Sequence, residues 1–184
     1  MSDPEGFDSY QIEVELGRGG MGIVYKARHK EADEIFAIKQ LVLKDIDPRK
    51  HLEFMERFQR EAKTASLLNH ENIVRVIDVS KETDKFYYVM EYLEGRSLKE
   101  ELKARGGLLK PHQFFEILKQ VSAGLSYAHS LNVVHRDIKP DNIFILNDGR
   151  VVITDFGIAR IADLESTNIT KTGVMLGTLA YVSP

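Results

Sequence analysis

The first half of the chain has the pattern of a series of short strands. Apolar and polar residues alternate from Tyr10 to Leu16, and apolar segments return at Ile23–Ala27 and Ile35–Leu41. A period of two is typical of strands with one buried face. Two more apolar segments, Ile73–Val79 and Phe86–Tyr92, are separated by a polar turn. The pattern therefore predicts a sheet of five antiparallel strands.

Two other segments follow a helical period. The apolar residues between His51 and Leu68 recur every three to four positions, at Phe54, Phe58, Ala62, Ala65 and Leu68. A second stripe follows Pro111, which can open a helix, and consists of Phe114, Ile117, Leu118, Val121, Leu125 and Ala128. This spacing predicts two amphipathic helices, the first of which is inserted between strands of the sheet.

The second half is predicted to be mainly helical, because Gly95 interrupts the strand pattern. One hairpin is expected there, with strands Ile143–Leu146 and Val151–Thr154 on either side of a strong turn signal, Asn147-Asp148-Gly149. We place the boundary between two lobes near Glu91 to Gly95, which gives regions 1–93 and 94–184. The polar, threonine-rich residues after Ala159 have no sustained period and predict a mobile loop.

Composition narrows the class of protein. The chain is 43% hydrophobic and 29% charged, as in an ordinary globular protein, and its net charge of -3 gives no reason to expect nucleic acid as a partner. The absence of cysteine excludes disulfides and a thiol nucleophile, and it suits a reducing compartment. No apolar run approaches the roughly 18 residues that span a bilayer. We expect a cytoplasmic location, although a parent protein could carry a membrane anchor beyond residue 184.

Three glycines, Gly17, Gly19 and Gly22, lie between the first two predicted strands. Without Cβ atoms, the backbone N–H groups of such a segment can approach phosphate oxygens. A plain glycine-rich hairpin is the alternative. A Walker A loop is excluded, because it needs Lys and Ser or Thr after the last glycine, where this chain has Ile23 and Val24. A dinucleotide fold is disfavoured, because it needs a helix at this point and a carboxylate about 20 residues later.

Lys39 lies in an apolar predicted strand, where an ammonium group needs an anionic partner. Glu61 is the best candidate, because it lies at the edge of the helix stripe beside Ala62 and Ala65. The alternative is a lysine that extends to solvent from the strand end and a solvated glutamate.

Two further motifs carry chemistry. The segment His135–Asn142 places Asp137, Lys139 and Asn142 within six residues of a loop between a helix and a strand. Asp155 begins an Asp-Phe-Gly triplet at the end of an apolar strand, where a carboxylate can reach a hard cation. On its own, each motif is also compatible with a polar loop or a turn.

The three motifs in this order resemble a protein kinase of the eukaryotic type, in its bacterial serine/threonine branch, from about Tyr10 to the last residue. The resemblance implies a bilobal α+β fold, with a five-stranded antiparallel N-lobe containing one helix and a partial, mainly helical C-lobe. It implies ATP and Mg²⁺ as cofactors, Ser and Thr hydroxyls of proteins as acceptors, and self-association for autophosphorylation. In the family the chain continues beyond the motif at Ser183-Pro184, which implies a truncated catalytic domain with an exposed apolar patch on the second helix.

The resemblance also implies roles for individual residues. The catalytic residues would be Asp137, which takes the hydroxyl proton, and Lys139, which neutralises the γ-phosphate. Lys39 would hold the α and β phosphates, Glu61 would hold Lys39, and Thr178 would bond Asp137 and Lys139. The nucleotide-binding residues would be Leu16, Gly17, Arg18, Gly19, Gly20, Met21, Gly22, Val24, Ala37, Lys39, Met90, Glu91, Leu93 and Phe144. Magnesium would be bound by Asn142 and Asp155.

Regulation is expected at Arg136, which precedes the predicted catalytic aspartate and needs an anion to hold it near the loop. Phosphorylation of Thr170 or Thr172 would supply that anion and order the segment.

Other functions stay open from the sequence. A nucleotide-binding pseudokinase is disfavoured by the presence of the complete set of predicted catalytic residues. A non-catalytic interaction module would use the exposed apolar patch. A metal-centred enzyme is least favoured, because the six histidines form no His-Glu-x-x-His motif and His129 and His135 are more plausible as core or loop residues.

Overall fold

The structure is a computed structural model that describes residues 7, 9–19, 22–42, 49, 51–80 and 86–156, without the side chains of residues 53, 54, 57 and 61. The described residues form two compact units. The first comprises those up to Ser66 together with Arg75–Tyr92, and the second comprises Leu67–Val74 and those from Leu93 onward. The division into functional regions 1–93 and 94–184 stays a prediction.

The first unit contains the predicted antiparallel sheet. Its strands are β1 (Tyr10–Gly19), β2 (Gly22–His29), β3 (Ile35–Leu41), β4 (Val76–Val79) and β5 (Tyr87–Glu91). They lie in the order β1-β2-β3-β5-β4, and every neighbouring pair is antiparallel. The five-stranded prediction is therefore confirmed, whereas the predicted polar turn at 81–85 lies outside the described residues.

One face of this sheet carries a buried apolar cluster. Its members come from β1, β2, β3 and β5 and from the segment before β1: Phe7, Tyr10, Ile23, Tyr25, Ala27, Ile38, Tyr87 and Val89. The rings of Phe7 and Tyr87 meet edge to face, with centroids 4.6 Å apart, a favoured aromatic geometry. Because side chains alternate along a strand, the intervening residues of β2, β3 and β5 project from the other face.

Helix α1 (His51–Ala65) packs on that other face through Phe58, whose ring centroid lies 5.7 Å from that of Tyr88 in β5. The helix ends three residues before the predicted Leu68. The Ser66 hydroxyl donates to the carbonyl of Lys63 at 2.8 Å. This side chain therefore replaces the backbone N–H that the next turn of helix would have supplied to that carbonyl.

The second unit has a three-stranded antiparallel sheet and two helices. The elements are β6 (Gly95–Ser97), α2 (Leu98–Ala104), α3 (Pro111–Ser130), a turn of 3₁₀ helix (Pro140–Asn142), β7 (Ile143–Leu146) and β8 (Val151–Ile153), and the sheet order is β6-β7-β8. The predicted hairpin and the predicted helix after Pro111 are both present.

The prediction that Gly95 interrupts the strand pattern was wrong. Gly95 begins β6 and pairs with Leu146, and a Cβ atom at this position would collide with the carbonyl oxygen of Ile145. Glycine therefore permits a close approach between strands here. Ser97 then ends the strand and begins α2, because its hydroxyl accepts from the N–H of Glu100 while the Glu100 carboxylate accepts from Ser97.

Helix α3 buries only part of its apolar stripe. Val121, Gly124 and Ala128 are buried, whereas Phe114 and Leu118 are exposed, which agrees with the expected apolar patch. Among the helices of the described ranges, none has both the length and the apolar composition needed to cross a bilayer.

The segment Leu67–Val74 joins the second unit, although it directly follows α1 in sequence. Val74 donates its N–H to Ile153 O, and Ile153 donates to Asn72 O, each at 2.9 Å. The prediction of a strand from Ile73 to Val79 was therefore wrong in its first part, because Ile73 and Val74 lie against β8 and β4 begins only at Val76.

Candidate active site

The predicted phosphate-binding glycines lie at the ends of β1 and β2, where Gly17 pairs with Val24 and Gly19 with Gly22. A Cβ atom added to Gly17 or Gly19 would meet nothing within 4 Å, whereas one at Gly22 would collide with the carbonyl oxygen of Gln40 in β3. The first two glycines therefore leave open space beside the backbone, and the third is also required by strand packing. Gly20 and Met21 lie outside the described residues.

Two other predicted nucleotide contacts on β1 are exposed. Leu16 occupies a bulge in the pairing of β1 with β2. Arg18 holds Glu15 through two bonds, Nη2 to Oε2 at 2.7 Å and Nε to Oε1 at 3.2 Å. This end of the hairpin is therefore solvent-facing.

Four predicted residues lie on one face of the first sheet. Val24 pairs with Lys39, and Ala37 pairs with Met90. Residues paired directly across antiparallel strands point to the same side, and so do residues two apart on one strand. The register therefore brings together a half-buried valine, a lysine and the buried Ala37 and Met90 on the face opposite the aromatic cluster.

Helix α1, which carries the predicted partner of Lys39, covers the face of the sheet from which Lys39 projects. Tyr88 pairs with Lys39 and contacts Phe58 of α1, so α1 covers the same face. Glu61 follows Phe58 by about one helical turn, but its side chain lies outside the described residues. The Lys39–Glu61 ion pair stays a prediction.

The predicted hinge begins at the end of β5. Glu91 donates its N–H to the carbonyl of Arg75 at 3.0 Å, and its carboxylate accepts the N–H of Arg75 at 2.9 Å. Leu93 begins the next part of the second unit, and Phe144 lies half-buried in β7. The adenine contacts predicted for these residues stay predictions.

In the loop before β7, three predicted site residues are joined directly by hydrogen bonds and an ion pair. The Asp137 Oδ2 atom accepts from Lys139 Nζ at 2.7 Å and from Asn142 Nδ2 at 3.0 Å, and Asn142 Nδ2 also donates to the Asp137 carbonyl at 2.8 Å. The turn Pro140–Asn142 makes this possible, because it folds the chain back toward Asp137. Both donors converge on one carboxylate oxygen, which leaves Oδ1 without a bond to any residue in the part of the chain that the structure describes.

His135 fixes the backbone of the same loop. Its Nδ1 accepts from the N–H of Asp137 at 3.2 Å, and its Nε2 lies 2.7 Å from the carbonyl of Thr154. Since Nδ1 accepts, Nε2 carries the proton and donates to that carbonyl. Burial lowers the pKa of His135 below its ordinary value, because only 1% of the residue is exposed, and the bond to Thr154 opposes this shift.

Asp155 is brought to the loop by the end of β8. Thr154 donates its N–H to Asn142 O at 2.9 Å, so Asp155 directly follows a residue that is bonded to the loop. The Phe156 ring then packs on His135, with centroids 4.6 Å apart. The end of β8 therefore contacts both Asn142 and His135, two residues that bond Asp137, and it also carries Asp155.

Asn142 and Asp155 fit a magnesium site chemically. The Asn142 amide nitrogen is used by Asp137, which leaves its Oδ1 as an oxygen donor, and Asp155 supplies a carboxylate. Magnesium takes one or two protein oxygens and completes its shell with waters and substrate phosphates. Within the described ranges, no group of three or more His, Cys, Asp or Glu is arranged to hold a metal by itself.

Two residues beside the candidate site have an unusual backbone conformation. Arg136 has a φ of 68° and Asp155 a φ of 61°, in the left-handed region that non-glycine residues seldom adopt. Such residues concentrate at functional sites, where the surrounding bonds hold them. Arg136 itself is exposed.

Sequence reasoning missed some supporting groups. It treated His135 as a core or loop residue, which its burial confirms, but not as the group that bonds both Asp137 and Thr154. Nothing in the pattern indicated that the carbonyl of Thr154, at the end of a predicted strand, would bond His135. Gly157 and the predicted regulatory and catalytic threonines Thr170, Thr172 and Thr178 lie outside the described residues, as does the predicted mobile loop after Ala159.

Comparisons with known proteins indicate the family and the fold of the chain. A family model described as the protein kinase domain matches residues 10–184. The chain is 45% identical over 175 residues to the serine/threonine-protein kinase PrkC of Bacillus subtilis, covering 95% of this chain and 26% of that protein. It is 38% identical to PknL of Mycobacterium tuberculosis, covering 95% of this chain and 42% of the relative.

A solved structure has the same fold. The crystal structure of the kinase domain of PknI from Mycobacterium tuberculosis matches with a TM-score of 0.71 and 30% sequence identity, over 83% of this chain and 59% of that one. The predicted fold class is thereby confirmed. The chain spans less than half the length of the two curated relatives.

Proposed function

Because this chain belongs to the protein kinase family, we propose that it transfers the γ-phosphoryl group of ATP to serine or threonine hydroxyls of proteins. The observation that carries the proposal is the arrangement around Asp137, whose Oδ2 is held by Lys139 and Asn142 while Oδ1 is left for an incoming hydroxyl. The similarity to serine/threonine kinases such as PrkC supports the class of acceptor.

Each loop residue has a physical task in this reaction. Asp137 orients the acceptor hydroxyl and takes its proton at Oδ1. Lys139, 2.7 Å from Asp137, also provides positive charge for the transferred phosphoryl group. Asn142 fixes the direction of the carboxylate, and His135 fixes the backbone N–H of Asp137. Phosphoryl transfer requires mainly positioning and charge neutralisation, which these contacts provide.

Nucleotide and metal binding complete the proposal. Asn142 and Asp155 would hold Mg²⁺, which supplies charge neutralisation for the phosphates when bound. On the first unit, Val24, Ala37 and Met90 would contact adenine, and Lys39 would bind phosphate oxygens. The other predicted nucleotide contacts, on the glycine hairpin, at Glu91 and Leu93 and at Phe144, belong to the same proposal. A cytoplasmic location and self-association for autophosphorylation are consistent with it.

The test compares radiolabelled phosphate transfer from ATP to a protein substrate by native protein and by Asp137→Asn, using the protein that carries this chain at its natural length. Loss of the general base lowers kcat by about 10²- to 10⁴-fold. The control is Asp148→Asn, the same change in the exposed turn between β7 and β8, which leaves kcat unchanged. Equal activity of native protein and Asp137→Asn would refute the proposal.

Regulation by phosphorylation of Thr170 or Thr172 is part of the proposal. The exposed Arg136 offers a cation one residue before Asp137, and a phosphothreonine is a suitable anion for it. The double variant Thr170→Ala/Thr172→Ala is expected to lose most activity, and mass spectrometry of active native protein is expected to find phosphate at one of these positions. Full activity of the double variant would contradict this regulation.

A further inference from the structure

An ion pair joins α2 to the catalytic loop. Lys99, in the first turn of α2, places Nζ 2.6 Å from Oδ1 of Asp141. Asp141 immediately precedes Asn142, the residue that holds Asp137. The two side chains are 67% and 42% exposed, so this carboxylate lies at the surface beside the catalytic residues and is already paired.

The two acidic residues of α2 are also engaged within the chain. The Glu100 carboxylate accepts from the N–H and the hydroxyl of Ser97, each at 2.8 Å, and these bonds hold the pKa of Glu100 below its ordinary value. The Glu101 carboxylate is buried between Arg96, 3.0 Å away, and Arg105. The acidic residues of α2 and of the turn Pro140–Asn142 therefore all have partners within the second unit.

A protein substrate bound at Asp137 lies within a few residues' length of Asp141, which directly precedes Asn142 in the chain. When its Ser or Thr hydroxyl lies at Asp137, an extended substrate places each further residue about 3.3–3.6 Å away along its chain. On the side of the acceptor that passes Asn142, side chains two or three residues away can therefore reach the Asp141 carboxylate. An unpaired carboxylate there would attract Arg or Lys in the substrate.

We infer that Lys99 is a specificity-determining residue, which occupies Asp141 and so removes the preference for basic residues beside the phosphorylated Ser or Thr. This inference rests on the proposed function. Lys99 belongs to the same chain as Asp141 and is therefore present at a high effective concentration, so a basic residue of the substrate must compete with an intramolecular partner.

The test uses two peptide series that differ only near the acceptor. Each series carries Arg or Ala at positions two and three residues before or after a single Ser. Native protein is expected to phosphorylate the Arg and Ala peptides with similar kcat/KM. Lys99→Met keeps an unbranched apolar side chain and removes the charge. It raises kcat/KM for the Arg peptides by about 1.4-fold to fivefold, the range of one solvent-exposed ion pair. The change is in KM, and kcat for the Ala peptides is unchanged.

Three variants control for other effects. Lys103→Met makes the same change elsewhere on α2, at an exposed lysine, and leaves the Arg-to-Ala ratio unchanged. Asp141→Asn leaves the ratio at the native value, and the double variant Lys99→Met/Asp141→Asn loses the gain. Thermal unfolding of each variant confirms that the fold is kept.

Other outcomes overturn the inference. These are a native preference for Arg peptides above that of Lys99→Met, the same gain in Lys103→Met, or a gain that persists in the double variant.

Peptide binding is also measured by fluorescence anisotropy with a non-transferable ATP analogue. If native protein transfers no phosphate, the proposed function fails, and the Arg-to-Ala binding ratio of Lys99→Met against native protein decides the role of Lys99 separately.

Discussion

The proposed catalytic loop, residues 135–142 of the second unit, and the glycine hairpin of the first unit are built in opposite ways. In the loop, Asn142 and His135 are 5% and 1% exposed, and both are bonded to Asp137 at 3.2 Å or less. In the hairpin, Leu16 and Arg18 are exposed, and two glycines have open space beside them. The groups proposed to handle protons are thus fixed by the protein itself, whereas those proposed to cover phosphates are left accessible.

This difference has a physical reason. Groups that stabilise developing charge act most strongly when they need no rearrangement during the reaction. A segment that must admit and release a nucleotide needs free space and few internal bonds.

Asn142→Ala should produce the largest change. It removes the donor that directs the Asp137 carboxylate, as well as a proposed magnesium ligand, so kcat is expected to fall by at least about 100-fold. Steady-state kinetics at saturating ATP measure the effect. Asn147→Ala, in the exposed turn between β7 and β8, is the matched control and keeps native kcat. A kcat of Asn142→Ala close to the native value would show that the loop is not fixed by this bond.

Two glycine variants compare packing with ligand access inside the hairpin. Gly22→Ala introduces a Cβ atom against the Gln40 carbonyl and is expected to lower the free energy of unfolding by about 1–3 kcal/mol. Gly19→Ala meets no atom within 4 Å, so it changes stability by less than about 0.5 kcal/mol and instead raises KM for ATP. Chemical denaturation and ATP kinetics measure the two effects. Equal loss of stability in both variants would contradict the distinction.

The smallest effect is a pH dependence of stability through His135. Its pKa is lowered in the folded protein from an ordinary value of 6.5, so the unfolded chain binds more protons as the pH falls below that value. Stability is therefore retained above pH 6.5 and lost below it, down to the folded pKa, with a slope of at most about 1.4 kcal/mol per pH unit.

Denaturant unfolding between pH 7.5 and 5 checks this dependence. His135→Asn should remove the contribution of this residue to the slope. His129→Gln, a change at an exposed position on α3, should keep the native slope. The explanation fails if the slope is the same in native protein and His135→Asn.

Local patterns were sufficient for much of the fold. The apolar segment Ile35–Leu41 predicted β3 with the observed bounds, and the Asn-Asp-Gly turn located the hairpin of β7 and β8. Strand β6 was missed, because its formation depends on a close contact between Gly95 and a strand about 50 residues later. The early end of α1 was also missed, because periodicity gives no sign of the bond between the Ser66 hydroxyl and the Lys63 carbonyl at the helix end.

For the candidate site, too, local motifs predicted the individual residues but not the contacts between them. Sequence motifs identified Asp137, Lys139 and Asn142 individually, but spacing could not show that both donors share one oxygen of Asp137. That result depends on the direction of the chain at the turn Pro140–Asn142. The Lys99–Asp141 pair was not foreseen either, since its members are 42 positions apart and neither belongs to a hydrophobic period.

The pairing of Leu67–Val74 with β8 also constrains how the protein is made. The buried amide of Asn72 donates to the carbonyl of Val151, which lies 79 positions later in the chain. At synthesis rates of about 5–20 residues per second, a ribosome delivers that partner roughly 4–16 seconds after Asn72 emerges. The other acceptor of this amide, Gln120 Oε1 at 3.0 Å, lies 48 positions after Asn72 and emerges earlier, so only the bond to Val151 must wait until β8 has left the exit tunnel.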